Sequence, residues 1–378
     1  MTKSTIIKDI IKKNMKKRKI ISIAILLLLT LLTFSGCLSI NGRVPVQFLH
    51  FSDDGSMLVS LTEFVHTTSG EGGHMLQIWD VKTGSELFSS LLDRTFFYYD
   101  DAFVYTSPDN DYLILKAFEK NYDNTCIFDW RNDEIVTNFS ETFHDWSDDG
   151  KYLAMENSDH NIEIWNATSF EVVKKVNVTI TQGQKMIFSP DGYELAFVKY
   201  NEKCLHIYNL STNTISPLEN SSFTFKNNTS PDLYFLQWST DGTKVGVTYY
   251  RYFRTSGMIF IWDSQDGSIL KDKKIKTLEI PIFSADFNYY ATITYNLDAY
   301  NDDVNELLSV NETLTDTTLF TFDIGEIPKN YFLILDWSQR LNHIAIGNED
   351  GIITILDGYS GEVVRTLKTP VFSMSPGT

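Results

Sequence analysis

Residues 331–368 read YFLILDWSQRLNHIAIGNEDGIITILDGYSGEVVRTLK, and the order of runs and turns in this stretch decides the fold. Tyr331–Trp337, His343–Gly347, Ile352–Leu356 and Glu362–Leu367 are four short runs of Val, Ile, Leu, Phe, Tyr and Thr, the residues a half-buried pleated surface prefers. Asp350-Gly351 turns the second run into the third, and Tyr359-Ser360-Gly361 turns the third into the fourth. The stretch therefore reads as four antiparallel strands, a to d.

The same unit recurs along the chain. A run closed by Ser and a tight turn appears as FSDDG at 51–55, TSPDN at 106–110, WSDDG at 146–150, FSPDG at 188–192, WSTDG at 238–242, FSADF at 283–287 and WSQRL at 337–341. A second signature follows each one: IWD at 78–80, IFD at 127–129, IWN at 164–166, IYN at 207–209, IWD at 261–263, TFD at 321–323 and ILD at 355–357. One four-stranded sheet cannot bury both of its faces, but seven packed radially can. The expected fold is all-β, a seven-bladed propeller of four-stranded antiparallel blades over residues 38–378. Glu362–Leu367 completes blade seven in phase, so no strand exchange closes the ring, and Thr369–Thr378 reads as a frayed tail.

These motifs resemble the WD-repeat family and its prokaryotic propeller kin. Trp79-Asp80, Trp165-Asn166 and Trp262-Asp263 stand at that family's Trp-Asp position, and Asp159 and Asp350 at the Asp preceding the third strand. The Gly-His pair that opens a full WD repeat is missing throughout, which makes the chain WD-like and leaves the family's buried Asp–His–Ser/Thr–Trp network incomplete. The resemblance implies a module that assembles protein complexes.

The N-terminal 37 residues are of another kind. Lys12, Lys13, Lys16, Lys17, Arg18 and Lys19 lead into Ile20–Phe34, fifteen uncharged residues rich in Leu and Ile. A basic flank before a short apolar stretch has the build of an export signal. Phe34-Ser35-Gly36-Cys37 resembles a lipobox, which implies that Cys37 is lipidated and begins the mature chain. The alternative is an uncleaved anchor helix, since the uncharged run continues to Ile40. Either way the propeller is expected outside the cytoplasmic membrane and tethered to it. Asn-x-Ser/Thr acceptors at Asn138, Asn166, Asn177, Asn209, Asn220, Asn227, Asn228 and Asn311 suit an exported, glycosylated surface.

Charge narrows the partners. The formal net charge is −17 and residues 1–19 contribute +7, which leaves −24 on the rest. Such a body repels phosphate backbones, so nucleic-acid binding is not expected. Three departures from the repeat are candidate binding loops. The first is the glycine-rich stretch Ser69-Gly70-Glu71-Gly72-Gly73-His74. The second is 296–317, with Asp298, Asp302, Asp303, Glu306, Glu312 and Asp316 as conceivable calcium ligands. The third is Tyr249, Tyr250, Arg251, Tyr252, Phe253 and Arg254, an expected projecting hairpin of the residue types enriched at protein contacts. Phe96, Phe97, Tyr98 and Tyr99 are a weaker second patch.

No catalytic, metal or cofactor motif is present: the seven His lack ligand spacing and no nucleophile turn occurs. Asp53-Asp54 and Asp148-Asp149 read as turn residues, and Cys126 and Cys204 as buried thiols of third strands. The expected function is non-catalytic binding of unidentified proteins. Glycan or solute binding, or a lactonase-like or glycan-active hydrolase at the central channel, are the alternatives.

Overall fold

A computed structural model describes residues 38–39, 45–65, 72–92, 102–119, 122–180, 185–199, 204–218, 233–251, 256–276, 281–295, 306–325, 334–369 and 373–374. Among them are seven four-stranded antiparallel sheets, each joined in sequence order, and no helix. The blades span 46–92, 102–139, 142–179, 187–217, 233–276, 282–325 and 335–368. Among the described residues, then, none forms a helix long and apolar enough to cross a membrane. The export signal, Cys37 and the anchor helix lie outside the described residues.

The core consists of seven clusters, one at each contact between successive blades. Leu61, Leu76 and Ile78 of blade one meet Val104, Leu113 and Leu115 of blade two, for example. Burying one such side chain stabilises by about 1.5–3 kcal/mol. The seventh cluster sets Val46, Leu58 and Trp79 of blade one against Ala345, Ile353 and Ile355 of blade seven, which closes the ring. Closure is in phase, as the repeat spacing predicts. Side chains do the work of an exchanged strand. Arg365 donates to the carbonyls of Val81 (3.2 Å), Lys82 (2.6 Å) and Thr83 (2.8 Å), and Gly347 leaves the space that Val46 fills.

In six blades the a–b turn follows one plan. The Ser Oγ accepts the N–H five residues on, as Ser52 does from Met57 (2.9 Å), and donates to the Asp two residues on, as Ser52 does to Asp54 (2.7 Å). The third residue past Ser adopts φ near +60 to +75°: Gly55, Asn110, Gly150, Gly192, Gly242 and Phe287. Phe287 is the bulky exception, at about 1–2 kcal/mol of left-handed strain. It stacks on Phe283 at 4.6 Å in the room Gly246 leaves, where a Cβ would lie 2.7 Å from Phe287. Blade seven lacks the Asp, and its left-handed residue moves on to Asn342.

The c–d turns are equally regular. A residue ending strand c is followed four positions later by one with positive φ: Gly84, Asp133, Phe170, Asn213, Gly267, Asp316 and Gly361. This spacing corrects the sequence assignment in blade six. Its third strand is Glu306–Glu312, so Phe322-Asp323 falls in the fourth strand, Thr318–Gly325. The residue matching Asp80 is Glu312, whose N–H donates to Thr317 O as that of Asp80 does to Ser85 O.

The chain also divides into two units, the propeller (43–64 and 72–369) and a smaller one that contains the tail. Within the smaller unit Ser373–Met374 pairs antiparallel with Leu38–Ser39, which corrects the expectation of a frayed tail.

Candidate functional site: the channel mouth on the turn face

Antiparallel order puts the a–b and c–d turns at one end of the ring and the b–c and d–a loops at the other. Hydrogen bonds between the two turn types seal the first end: Val81 N–H to Ser56 O, Ala167 N–H to Lys151 O, Ser264 N–H to Thr243 O. Of the three candidate binding stretches, Gly72–His74, Tyr249–Arg251 and Glu306 sit where strands begin or end at the other end, whereas Glu312 and Asp316 belong to a c–d turn.

At the turn end the inner strands bring charges together from several blades. Asp145 of blade three accepts Phe188 N–H of blade four (2.7 Å), and Asp336 of blade seven accepts Phe51 N–H of blade one (2.7 Å). His50 Nδ1 lies 3.6 Å from Asp336 Oδ2. Lys185, just ahead of blade four's inner strand, sets its ammonium 5.4 Å from the Tyr105 ring and 5.1 Å from the Phe235 ring, on blades two and five. Such contacts contribute about 0.5–2 kcal/mol.

Burial pushes the Asp145 carboxyl up to about 7, against the pull of Lys185. Asp148 is pushed up to about 6, first by burial and then by the charge of Asp53, with Arg340 opposing. Burial also raises Asp53, which faces His50, Arg340 and Lys185. Asp53 and Asp148 keep solvent access by surface area while protein surrounds them, as residues at the mouth of a channel do. Asp53 with Asp148, Asp53 with Lys185 and Asp148 with Arg340 join blades that are not neighbours, and can influence one another only across the central axis.

Both Asp pairs sit in the a–b turns, as the sequence reading expects, and Asp53 and Asp148 in addition face the channel mouth. The second member of each, Asp54 or Asp149, caps its turn. The first is not needed there, since Pro108, Pro190, Thr240, Ala285 and Gln339 hold the same position elsewhere. That substitution pattern was the available signal.

The WD-like residues are structural. Trp79 Nε1 donates to Ser60 Oγ (2.9 Å), and Trp165 Nε1 to Glu163 Oε2 (3.1 Å). Trp262 is buried against blade four. Asp80, Asn166 and Asp263 accept the N–H groups of their own c–d turns. Asp159 and Asp350 are exposed in b–c turns that Asn157 and Asn348 hold, so neither joins a buried network. Tyr249, Tyr250 and Arg251 belong to strand Lys244–Arg251, where Arg251 pairs with Ser256. The expected hairpin is present to that point; Tyr252, Phe253 and Arg254 lie outside the described residues, as do Phe96, Phe97, Tyr98 and Tyr99.

Other expectations are changed. Glu306 and Glu312 sit at opposite ends of one strand, and Asp316 binds Lys271 and Lys273 of blade five at 2.7 Å each, so those three acids do not gather around a cation. Among the described residues no group of three or more His, Cys, Asp or Glu could hold a metal. Gly72–His74 starts strand Gly72–Asp80. Asn311 is buried and accepts from Thr318 Oγ1 (2.9 Å), which removes it as a glycosylation acceptor in the folded chain. Cys126 is buried, and burial pushes its thiol up to about 12; Cys204 is half-buried just ahead of its strand.

Blade three holds a second polar cluster that the sequence did not announce. Buried Glu156 lies 2.9 Å from His144 Nε2 and 2.5 Å from His160 Nδ1, and Lys116 Nζ donates to Phe143 O (3.1 Å). Burial alone would raise Glu156, but its two His partners hold it below the ordinary range, while burial lowers His144.

No family model and no curated protein matches the chain. Solved structures do. Kluyvelomyces marxianus Hsv2 is similar at TM-score 0.55 and 12% identity, over 86% of this chain and 99% of that one. KlHsv2 with loop 6CD replaced by a Gly-Ser linker gives 0.50 and 12%, over 86% and 100%. Kuenenia stuttgartiensis hydrazine synthase gives 0.51 and 13%, over 70% and 86%. At such identities the likeness shows the fold alone: this chain is a seven-bladed β-propeller.

Proposed function

We propose that the chain is a membrane-tethered, extracytoplasmic propeller of WD-like type that binds other proteins without catalysis. The observation that supports this most is the closed ring of seven four-stranded blades, which presents turns on one face and loops on the other. A repeat scaffold that holds many turns and loops on its two faces is suited to recognition. Lipidation at Cys37, or an anchor helix through Ile20–Phe34, would supply the tether. Tagged full-length protein drawn from its own membranes in mild detergent should bring a stoichiometric partner. Loss of that partner on alanine substitution of 249–254 would place the contact on the loop face; no partner from either form would count against a binding module. Intact mass of the membrane form separates a chain beginning at lipidated Cys37 from one beginning at Met1.

The channel mouth favours a second possibility. Carboxyls held at about 7 and about 6, as Asp145 and Asp148 are, suit acid–base chemistry. Turnover of glycans or esters that disappears in Asp148→Asn would establish the hydrolase alternative.

A further inference from the structure

The seven a–b turns and seven c–d turns, five and six residues each from the Ser and from the end of strand c, carry 20 acidic side chains against four basic ones. That is −16 of the −24 beyond residue 19. Lys174, Lys244, Lys271, Lys273 and Arg365 reach this end from the strands, to Leu210 O, Asp286 O, Asp316 and the blade-one turn. Counting them, the balance is still −11.

Three further observations bear on what meets this charge. The chain enters and leaves the ring at the opposite end: Val46 N–H donates to Asn348 O, and Thr369 N–H to Gly351 O, both on the b–c turn of blade seven. The channel already holds one alkylammonium, that of Lys185 between Tyr105 and Phe235, so its walls suit this chemistry. Exposed aliphatics also ring the turn end where the outer strands begin, among them Leu87, Ile135, Val173, Ile269, Leu319 and Val363. An acidic face with apolar side chains along its outer strands complements a cationic segment with apolar neighbours.

We propose that the turn end is the docking face and that its partner is a protein segment rich in Lys and Arg, one cationic side chain entering the mouth between Asp53 and Asp148. This rests on the protein-binding function and names the chemistry of the partner. A cation there relieves the repulsion between two carboxylates, which Arg340 from the turn of blade seven, with His50 and Lys185 beside Asp53, only partly opposes.

The test uses the full-length chain in detergent and a fluorescent peptide of alternating Gly, Lys, Gly and Arg, with the Glu/Asp counterpart as control. Anisotropy should show saturable binding of the basic peptide only. Asp53→Asn/Asp148→Asn should weaken it at least about tenfold, while Asp159→Asn/Asp350→Asn, an equal charge change on the loop face, should alter it less than about twofold. Matching circular dichroism and melting curves establish that both variants fold; if the mouth pair does not, Asp148→Asn alone is compared with Asp350→Asn by the same criterion. Equal weakening by both variants, or no saturable binding, overturns the proposal. A natural partner that binds both variants alike, or is lost on substitution of 249–254, overturns the docking face and leaves the binding module standing. Saturable, mouth-dependent peptide binding without any natural partner does the reverse.

Discussion

Asp145→Asn should make the propeller more stable at pH 8 and leave it unchanged near pH 4. Burial has raised this carboxyl from 3.8 to about 7. A group whose folded pKa is raised favours folding fully below its unfolded value, and that contribution is lost as pH rises through the folded value. The ionised carboxylate therefore costs stability above about pH 7. A shift of roughly three units caps the cost at about 4 kcal/mol. The side chain is only half-buried, and solvent screening at that exposure reduces the cost to about 1–2 kcal/mol. Asn keeps an oxygen to accept Phe188 N–H, and the packing changes little. Urea unfolding followed by tryptophan fluorescence at pH 4, 6 and 8 gives the difference directly. A variant less stable than the parent at pH 8, or a difference that does not grow with pH, refutes the assignment of Asp145 to an under-solvated channel.

Three other perturbations probe the frame. Arg365→Ala removes the charge-assisted caps on Val81, Lys82 and Thr83 and should lower stability by about 1–2 kcal/mol, with limited proteolysis cutting first near the blade one–seven contact. Gly347→Ala would set a Cβ 2.5 Å from Val46 Cβ; a drop in melting temperature worth about 2 kcal/mol or more is expected, and an unchanged melt would contradict in-phase closure. His144 is held neutral by burial, so it stabilises fully above its ordinary 6.5 and that contribution is lost as pH falls. His144→Gln should flatten the decline in stability between pH 6.5 and 5.

The repeat was legible because turn chemistry is local. Ser52 and Asp54, or Asp80 and Gly84, satisfy the same few backbone groups wherever the turn recurs, so the same or similar residue types return in most blades. Blade six misled because its insertion moved the third strand, and Val310-Asn311-Glu312 has no aromatic residue. Thr321-Phe322-Asp323 in the fourth strand imitates the pattern instead. The channel mouth was hidden for another reason. Asp53, Asp148, Lys185 and Arg340 come from blades one, three, four and seven and meet only because the ring closes. No spacing along the chain encodes that meeting; only the redundancy of an Asp where other turns use Pro, Thr, Ala or Gln hinted at it. His144, Glu156 and His160 likewise become a cluster through strand pairing and a b–c turn.

The most direct measurement is a carbon-13 titration of the Asp side-chain carboxyls in the intact protein, repeated in Asp53→Asn. Convergence of charge at the channel mouth predicts midpoints of about 7 for Asp145 and about 6 for Asp148, with Asp148 falling once Asp53 is neutralised. Midpoints near 3.8 for both, indifferent to residue 53, would contradict it.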